Sequence, residues 1–316
     1  MNMEQEIKDR ALELGFDAAG ITDAAPIAGD DIEHLRTWLD AGCAGQMKYL
    51  HRNFEKRTHP AALVEGAQSV VVVALNYKLR EEEASVPAPD DPVGTVAEYA
   101  RYDDYRGFMR PLLRELARTI RSITNDAQRF KVCVDSVPLA ERALAVRAGL
   151  GFIGKNHMFI HPRLGPQVFL GELVTTVALR PDEPVPGVCI SCGRCVRTCP
   201  TGALQENGRF DARKCISYLT IEHAGDIEPE LAGKVGNRVF GCDQCVAVCP
   251  HRHGAPARAN NQLRFHPDRA YLELKRILEM TQASFAVEFE DSPISRTGLE
   301  RLKRNTRICM ENMERQ

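Results

Sequence analysis

Residues 189–200 read CISCGRCVRTCP, with Cys189, Cys192, Cys195 and Cys199 spaced by two, two and three residues and Pro200 directly after. This is the bacterial-ferredoxin run, in which three thiolates wrap one face of a [4Fe-4S] cube and the fourth reaches a second cube. A second run, Cys242, Cys245, Cys249 and Pro250, is one cysteine short, and Cys215 lies between the two runs. Four, three and one make eight thiolates, enough for two cubes. Cross-ligation assigns Cys189, Cys192, Cys195 and Cys249 to one cluster and Cys199, Cys215, Cys242 and Cys245 to the other. Four-cysteine zinc sites also use C-x2-C pairs, but this spacing ahead of proline suits a cube better than a tetrahedral ion. Cys43, Cys133 and Cys309 are left as buried free thiols.

Outward from this run, Arg180 to Gly187 carries three prolines in six residues, which forbids helix and central strand and marks a boundary. Three stretches result: 1–180, a ferredoxin-like 181–256, and a helical tail, 257–316. The first alternates helix and strand. Ile7, Ala11 and Leu14 recur at helical spacing, as do Leu112, Leu113, Leu116, Ile120 and Ile123, and Ile32 to Leu39 is a second amphipathic helix. Val70 to Leu75 reads as a strand buried on both faces, Lys131 to Val134 as another, Leu139 to Ala148 as a helix, and Val168 to Leu179 as a long strand or strand pair. Glu81 to Val96, acidic and proline-containing, reads as a surface loop and a candidate lid. The fold class is α+β, with α/β character in the first domain.

The 316 residues leave ample length for a core, and 44% apolar with 27% charged residues excludes extensive disorder. A formal charge of -2 excludes a uniformly basic nucleic-acid coat protein, so any RNA site is a local patch. From Arg296 onward such a patch is available: Arg296, Arg301, Lys303, Arg304, Arg307 and Arg315 stand against three acids. The longest aliphatic run falls far short of the roughly 20 residues that cross a bilayer, and the N-terminus has no signal-peptide core, so a cytoplasmic protein without membrane contact is expected. A pure ferredoxin would need only residues 187–256, and the surplus before them argues for an enzyme.

Gly149 to Gly154 matches G-x-G-x-x-G, but it follows a helix instead of a strand and opens none, so a helix C-cap and glycine loop presenting Lys155 and Asn156 is the better reading than a dinucleotide site. Asp135 ends the strand Lys131 to Val134 ahead of Ser136, Val137 and Pro138. It is either a turn carboxylate or a partly buried acid at a sheet edge, and composition does not choose. Arg57 reads by default as a solvated base, and Tyr99, Tyr102 and Tyr105 as packing residues.

Together, Met47 to Leu50 with Arg57, Tyr99 to Arg101 with Asp104 and Tyr105, Val134 to Arg142, Gly149 to Asn156, Phe169 to Glu172, Cys215 to His223 and Phe240 to Asp243 resemble the epoxyqueuosine reductase family, in order and across nearly the whole chain. The resemblance implies a cobalamin-dependent iron-sulfur enzyme that reduces the epoxide of epoxyqueuosine at the wobble position of a tRNA anticodon. It implies Asp135 as proton donor, also beside the cobalamin, and Arg57, Tyr99, Lys155, Asn156, Ser217 and Thr220 as cobalamin neighbours. The implied partners are tRNA and a low-potential electron donor such as flavodoxin or ferredoxin, and a monomer is expected. Two departures stand out: the sequence ends at Gln316, where many members continue into a helical-repeat module that helps hold tRNA, and Arg106 stands where the family usually has histidine. The alternatives are another cobalamin and iron-sulfur reductase, such as a reductive dehalogenase, and a non-catalytic electron-transfer protein.

Overall fold

The computed structural model describes residues 2–85, 88–90, 92–124 and 127–315. Its centre is strand β2 (Ser69–Asn76), in which every residue is buried. Side chains alternate across an extended chain. Val71, Val73 and Leu75 therefore face one side, against Ile7 and Ala11 of the helix Met3–Glu13 and Met109, Leu113, Leu116 and Ile120 of the helix Tyr105–Ile123. Val70, Val72 and Ala74 face the other, against Leu144 and Ala145 of the helix Glu141–Arg147. Each fully buried valine contributes roughly 1.5–3 kcal/mol.

β2 pairs with β1 (Ala18–Asp23) on one side and β7 (Val168–Thr175) on the other, and β7 pairs with β4 (Phe130–Cys133), all antiparallel. Burial on both faces is the usual mark of a parallel strand. Here helices cover both faces of an antiparallel sheet, which gives the same apolar run in an α+β architecture. The glycine loop caps its helix: Gly149 has φ +73°, its N–H donates to Val146, and that of Leu150 donates to Ala145. No helix follows, and the chain enters a hairpin of β5 (Phe152–Ile153) and β6 (Phe159–Ile160).

A second sheet takes one strand from each of the three sequence stretches. β3 (Val93–Val96) lies parallel to β8 (Arg238–Phe240) and antiparallel to β9 (Tyr271–Glu273). The expected surface loop 81–96 is thereby corrected. It opens with a helical turn, Glu81–Ala84, and closes with β3, whose Val93 and Val96 are buried because β8 and β9 offer backbone partners that the local sequence does not reveal. Residues 86, 87 and 91 of that stretch lie outside the described residues. The tail opens with an irregular stretch, 257–266, before its helices Leu274–Glu279, Gln282–Glu288 and Leu299–Glu314 close a core with Val96, Val239 and Phe240. Among the described residues no helix is long and apolar enough to cross a membrane.

Candidate active site and cysteine centre

The first cysteine run folds back on itself because Ser191 and Gly193 take φ values of +51° and +68°, turning the chain into the short helix Arg194–Arg197. A small cavity lies inside the turn. Its lining includes Cys189, Cys192 and Cys195 from this run and Cys249 from the far end of the second, with Lys155 and Asn156 from the glycine loop. Burial pushes the Cys195 and Cys249 thiols up, and each is raised further by Cys189 and Cys192. The other four form a second group. Burial raises Cys215, which also feels Cys242 and Cys199, and burial raises Cys245, which feels Cys215 and Cys242. Ionising the thiols of either group sets like charges against one another, which a bound cation offsets. No three Sγ atoms among the described cysteines lie within 4.8 Å of one another.

At the other end of the site, β4 stops at Cys133 and the chain reverses through Asp135, which holds φ +56°, a conformation aspartate tolerates. The Asp135 N–H donates to Glu141 Oε1 at 2.6 Å. Its carboxylate Oδ2 accepts from Arg296 Nη1 at 2.9 Å and lies 3.6 Å from Arg106 Nη1. Arg106 is itself fixed by Asp104, Nε to Oδ1 at 2.8 Å. Tyr105 stacks on Phe169 with ring centroids 4.1 Å apart, and Tyr99 packs on Phe240 at 6.0 Å. Burial pushes both hydroxyls well above the usual tyrosine range.

Arg57, at the end of the helix Phe54–Thr58, is not a solvated base. Burial lowers its pKa against the opposing charges of Tyr49, Glu141 and Asp135, and its Nε is buried without a partner. Lys155 pairs with Glu206 at 2.8 Å, and Asn156 donates to the Cys245 carbonyl at 3.3 Å, so the structure brings both against the cysteine centre. Ser217 is half-buried in the helix Ile216–Ile221, and Thr220 is wholly buried there, accepting from the Gly241 N–H at 2.9 Å. Thr220 thus ties that helix to the second cysteine run.

Arg296 and Arg106 were not anticipated beside Asp135. Arg296 stood in the basic tail, and the only signal for Arg106 was its departure from the family's histidine. The tail is also less free than its composition suggests. Arg304 spends its guanidinium on the carbonyls of Leu219 at 2.6 Å, His223 at 2.8 Å and Gly225 at 2.6 Å, and Arg301 donates to that of Ile221. Helix C-termini need such donors, so these bases close the fold and do not stand ready for phosphate.

Residues 188–252 match the family model of the 4Fe-4S double cluster binding domain, and residues 57–136 that of Epoxyqueuosine reductase QueG, DUF1730. The chain is 38% identical over 307 residues to an epoxyqueuosine reductase of Xanthomonas campestris, covering 97% of this chain and 86% of the relative. To that of Leadbetterella byssophila it is 36% identical, covering 97% and 98%. Among solved structures it resembles an epoxyqueuosine reductase in complex with an epoxyqueuosine-modified tRNA-Tyr stem loop, with a TM-score of 0.91, 31% identity and coverage of 99% and 82%. The Streptococcus thermophilus epoxyqueuosine reductase gives 0.88 and 33%, with the same coverage.

Proposed function

The chain belongs to the epoxyqueuosine reductase family, and on that premise we propose that this oxidoreductase reduces the epoxide of epoxyqueuosine to the alkene of queuosine at the wobble position of a tRNA anticodon, in the cytoplasm. The observation that carries the reading is the pairing of two four-cysteine groups with the Asp135 carboxylate on one continuous fold, which covers 98% of the Leadbetterella byssophila relative and 86% of that of Xanthomonas campestris. When bound, two [4Fe-4S] clusters would relay single electrons from a low-potential donor such as flavodoxin or ferredoxin, and cobalamin would supply the strong reductant at the epoxide.

The protein's own contributions follow from its geometry. Cys189, Cys192, Cys195 and Cys249 would hold one cluster and Cys199, Cys215, Cys242 and Cys245 the other, and Asn156 links the glycine loop to the backbone of the second group. Arg57, with its buried unpartnered Nε, and Tyr99 offer polar contacts to the amide-rich rim of a corrinoid, and Lys155, Ser217 and Thr220 hold the surrounding walls. Asp135 protonates the departing oxygen and so avoids a free alkoxide, which is general acid catalysis. Arg296 and Arg106 orient its carboxyl, and an incoming tRNA phosphate competes with the carboxylate for Arg296, which is partly exposed.

The test is anaerobic purification with reconstitution of iron and sulfide, spectra before and after cobalamin is added, and assay on an epoxyqueuosine-containing anticodon stem loop. Cobalamin binding with queuosine formation is expected. A protein that carries clusters yet neither binds corrinoid nor turns over is an electron carrier, and the reading fails.

A further inference from the structure

Two pieces of the family resemblance, Val134 to Arg142 and Phe169 to Glu172, contain glutamates, Glu141 and Glu172, that the reading above leaves without a task. Glu172 sits in the middle of β7, opposite Val72 of β2 and Cys133 of β4, and is fully buried. Both of its carboxylate oxygens lack a hydrogen-bond donor. What it faces is the carboxyl of Glu141, the first residue of the helix laid over that face of the sheet. Two ionised carboxylates repel, and no hydrogen bond joins them unless one carries a proton. Glu141 in turn accepts the Asp135 N–H at 2.6 Å. The pair therefore lies against the backbone of the proposed acid, with Glu172 buried and Glu141 half-buried.

Reducing an epoxide to an alkene breaks two C–O bonds, forms the C=C bond and releases the oxygen as water. It consumes two electrons, from the low-potential donor that the reaction already requires, and two protons. Asp135 carries only one. We propose that Glu141 and Glu172 share a proton in the resting enzyme and pass it to Asp135 after its first transfer, so that the pair supplies the second proton of each turnover. The carboxyl of Asp135, about one-third exposed, then refills the store from water. The pair acts through Asp135 and touches no reacting atom, and the inference rests on the reading of Asp135 as the acid. Burial agrees with it, raising Glu141 to about 7 and Glu172 well above the usual carboxyl range, each lifted further by the other or by Asp135. The groups that face the pair are Asp135, Arg57, Arg142, Tyr105 and the Cys133 thiol.

The test uses the full chain carrying clusters and cobalamin. Infrared spectra across pH should show a protonated carboxyl C=O band near neutrality in the wild type, absent in Glu172→Gln, whose amide replaces the hydrogen bond without a transferable proton. Single-turnover queuosine formation should slow by roughly 10²-fold in that variant. It should also lose the decline that the wild type shows as pH rises past the pair's titration, and Glu172→Asp should restore part of both. A wild type without the band, or a Glu172→Gln enzyme with wild-type rate and pH profile, overturns the proposal. Should Glu172→Gln not fold, the wild-type band and Glu141→Gln decide in the same way. Asp135→Asn run alongside separates the two readings: if it is slow while Glu172→Gln is normal, only the store is wrong, and if it is normal, the acid assignment falls first.

Discussion

The cysteine centre and the Asp135 pocket are built in opposite ways. Seven of the eight cysteines come from two short runs in which only two or three residues separate each thiol from the next, so the backbone of a single turn places several donors together. The pocket gathers Arg57, Tyr99, Arg106, Asp135, Glu141, Glu172 and Arg296, which span 240 positions (296 − 57 + 1) of the chain. A soft metal cluster tolerates a local loop as its holder. An acid tuned by neighbours needs a sheet, two helices and the tail to meet at one point. The exchange between the two runs, Cys249 lining the cavity of the first and Cys199 grouped with Cys215 and Cys242, is where the cysteine centre also depends on tertiary structure.

The sharpest break in that comparison is Cys249→Ser. If the centre were local, the second run would suffer; the cavity lining predicts instead loss of the cluster held by Cys189, Cys192 and Cys195, with iron falling to about one cube and turnover abolished. Iron analysis and low-temperature EPR of the reduced variant check this. Next in size is Asp135→Asn, which keeps shape and hydrogen bonding but removes the acid. With clusters and cobalamin retained, pre-reduced single turnover should fall by about 10²–10⁴-fold. Should cobalamin be lost as well, Asp135 is structural and the pocket is not an acid site.

Arg304→Ala probes the frame that joins the regions. Removing the guanidinium leaves helix-end carbonyls unpaired, and a loss of roughly 2–3 kcal/mol is expected by denaturant titration, with cluster content intact below the midpoint. The smallest effect belongs to Arg296→Ala. Its exposed pair with Asp135 is worth about 0–1 kcal/mol, so the melting temperature should hardly move. The salt dependence of binding to an anticodon stem loop should flatten by about one unit of slope. An unchanged slope would mean that Arg296 serves Asp135 alone, leaving Lys303 and Arg307 as the tail's phosphate contacts.

How much was legible in the sequence differs between the same regions. Periodicity placed the helix Met3–Glu13 and the strands β2 and β4 to within a few residues and marked the helix Tyr105–Ile123 from Leu112 onward, missing its first two turns. It missed β3, a four-residue strand whose only justification is a pair of partners roughly 145 and 180 residues further on (Phe240 for Val96, Glu273 for Val93). It also read Arg301 and Arg304 as a basic surface, since composition counts charges and does not show which carbonyls they meet.

By itself the sequence determined the cluster chemistry, because thiol spacing and the proline stops are fixed by covalent geometry, and it determined the element types wherever burial is periodic. Only the tertiary structure decided that β2 lies in an antiparallel sheet, that Arg296 and Arg106 close on Asp135, and that Glu172 meets Glu141. Charge and burial act through space and depend on distance. A carboxyl's role is therefore set by whichever residues folding brings against it, however far along the chain they lie.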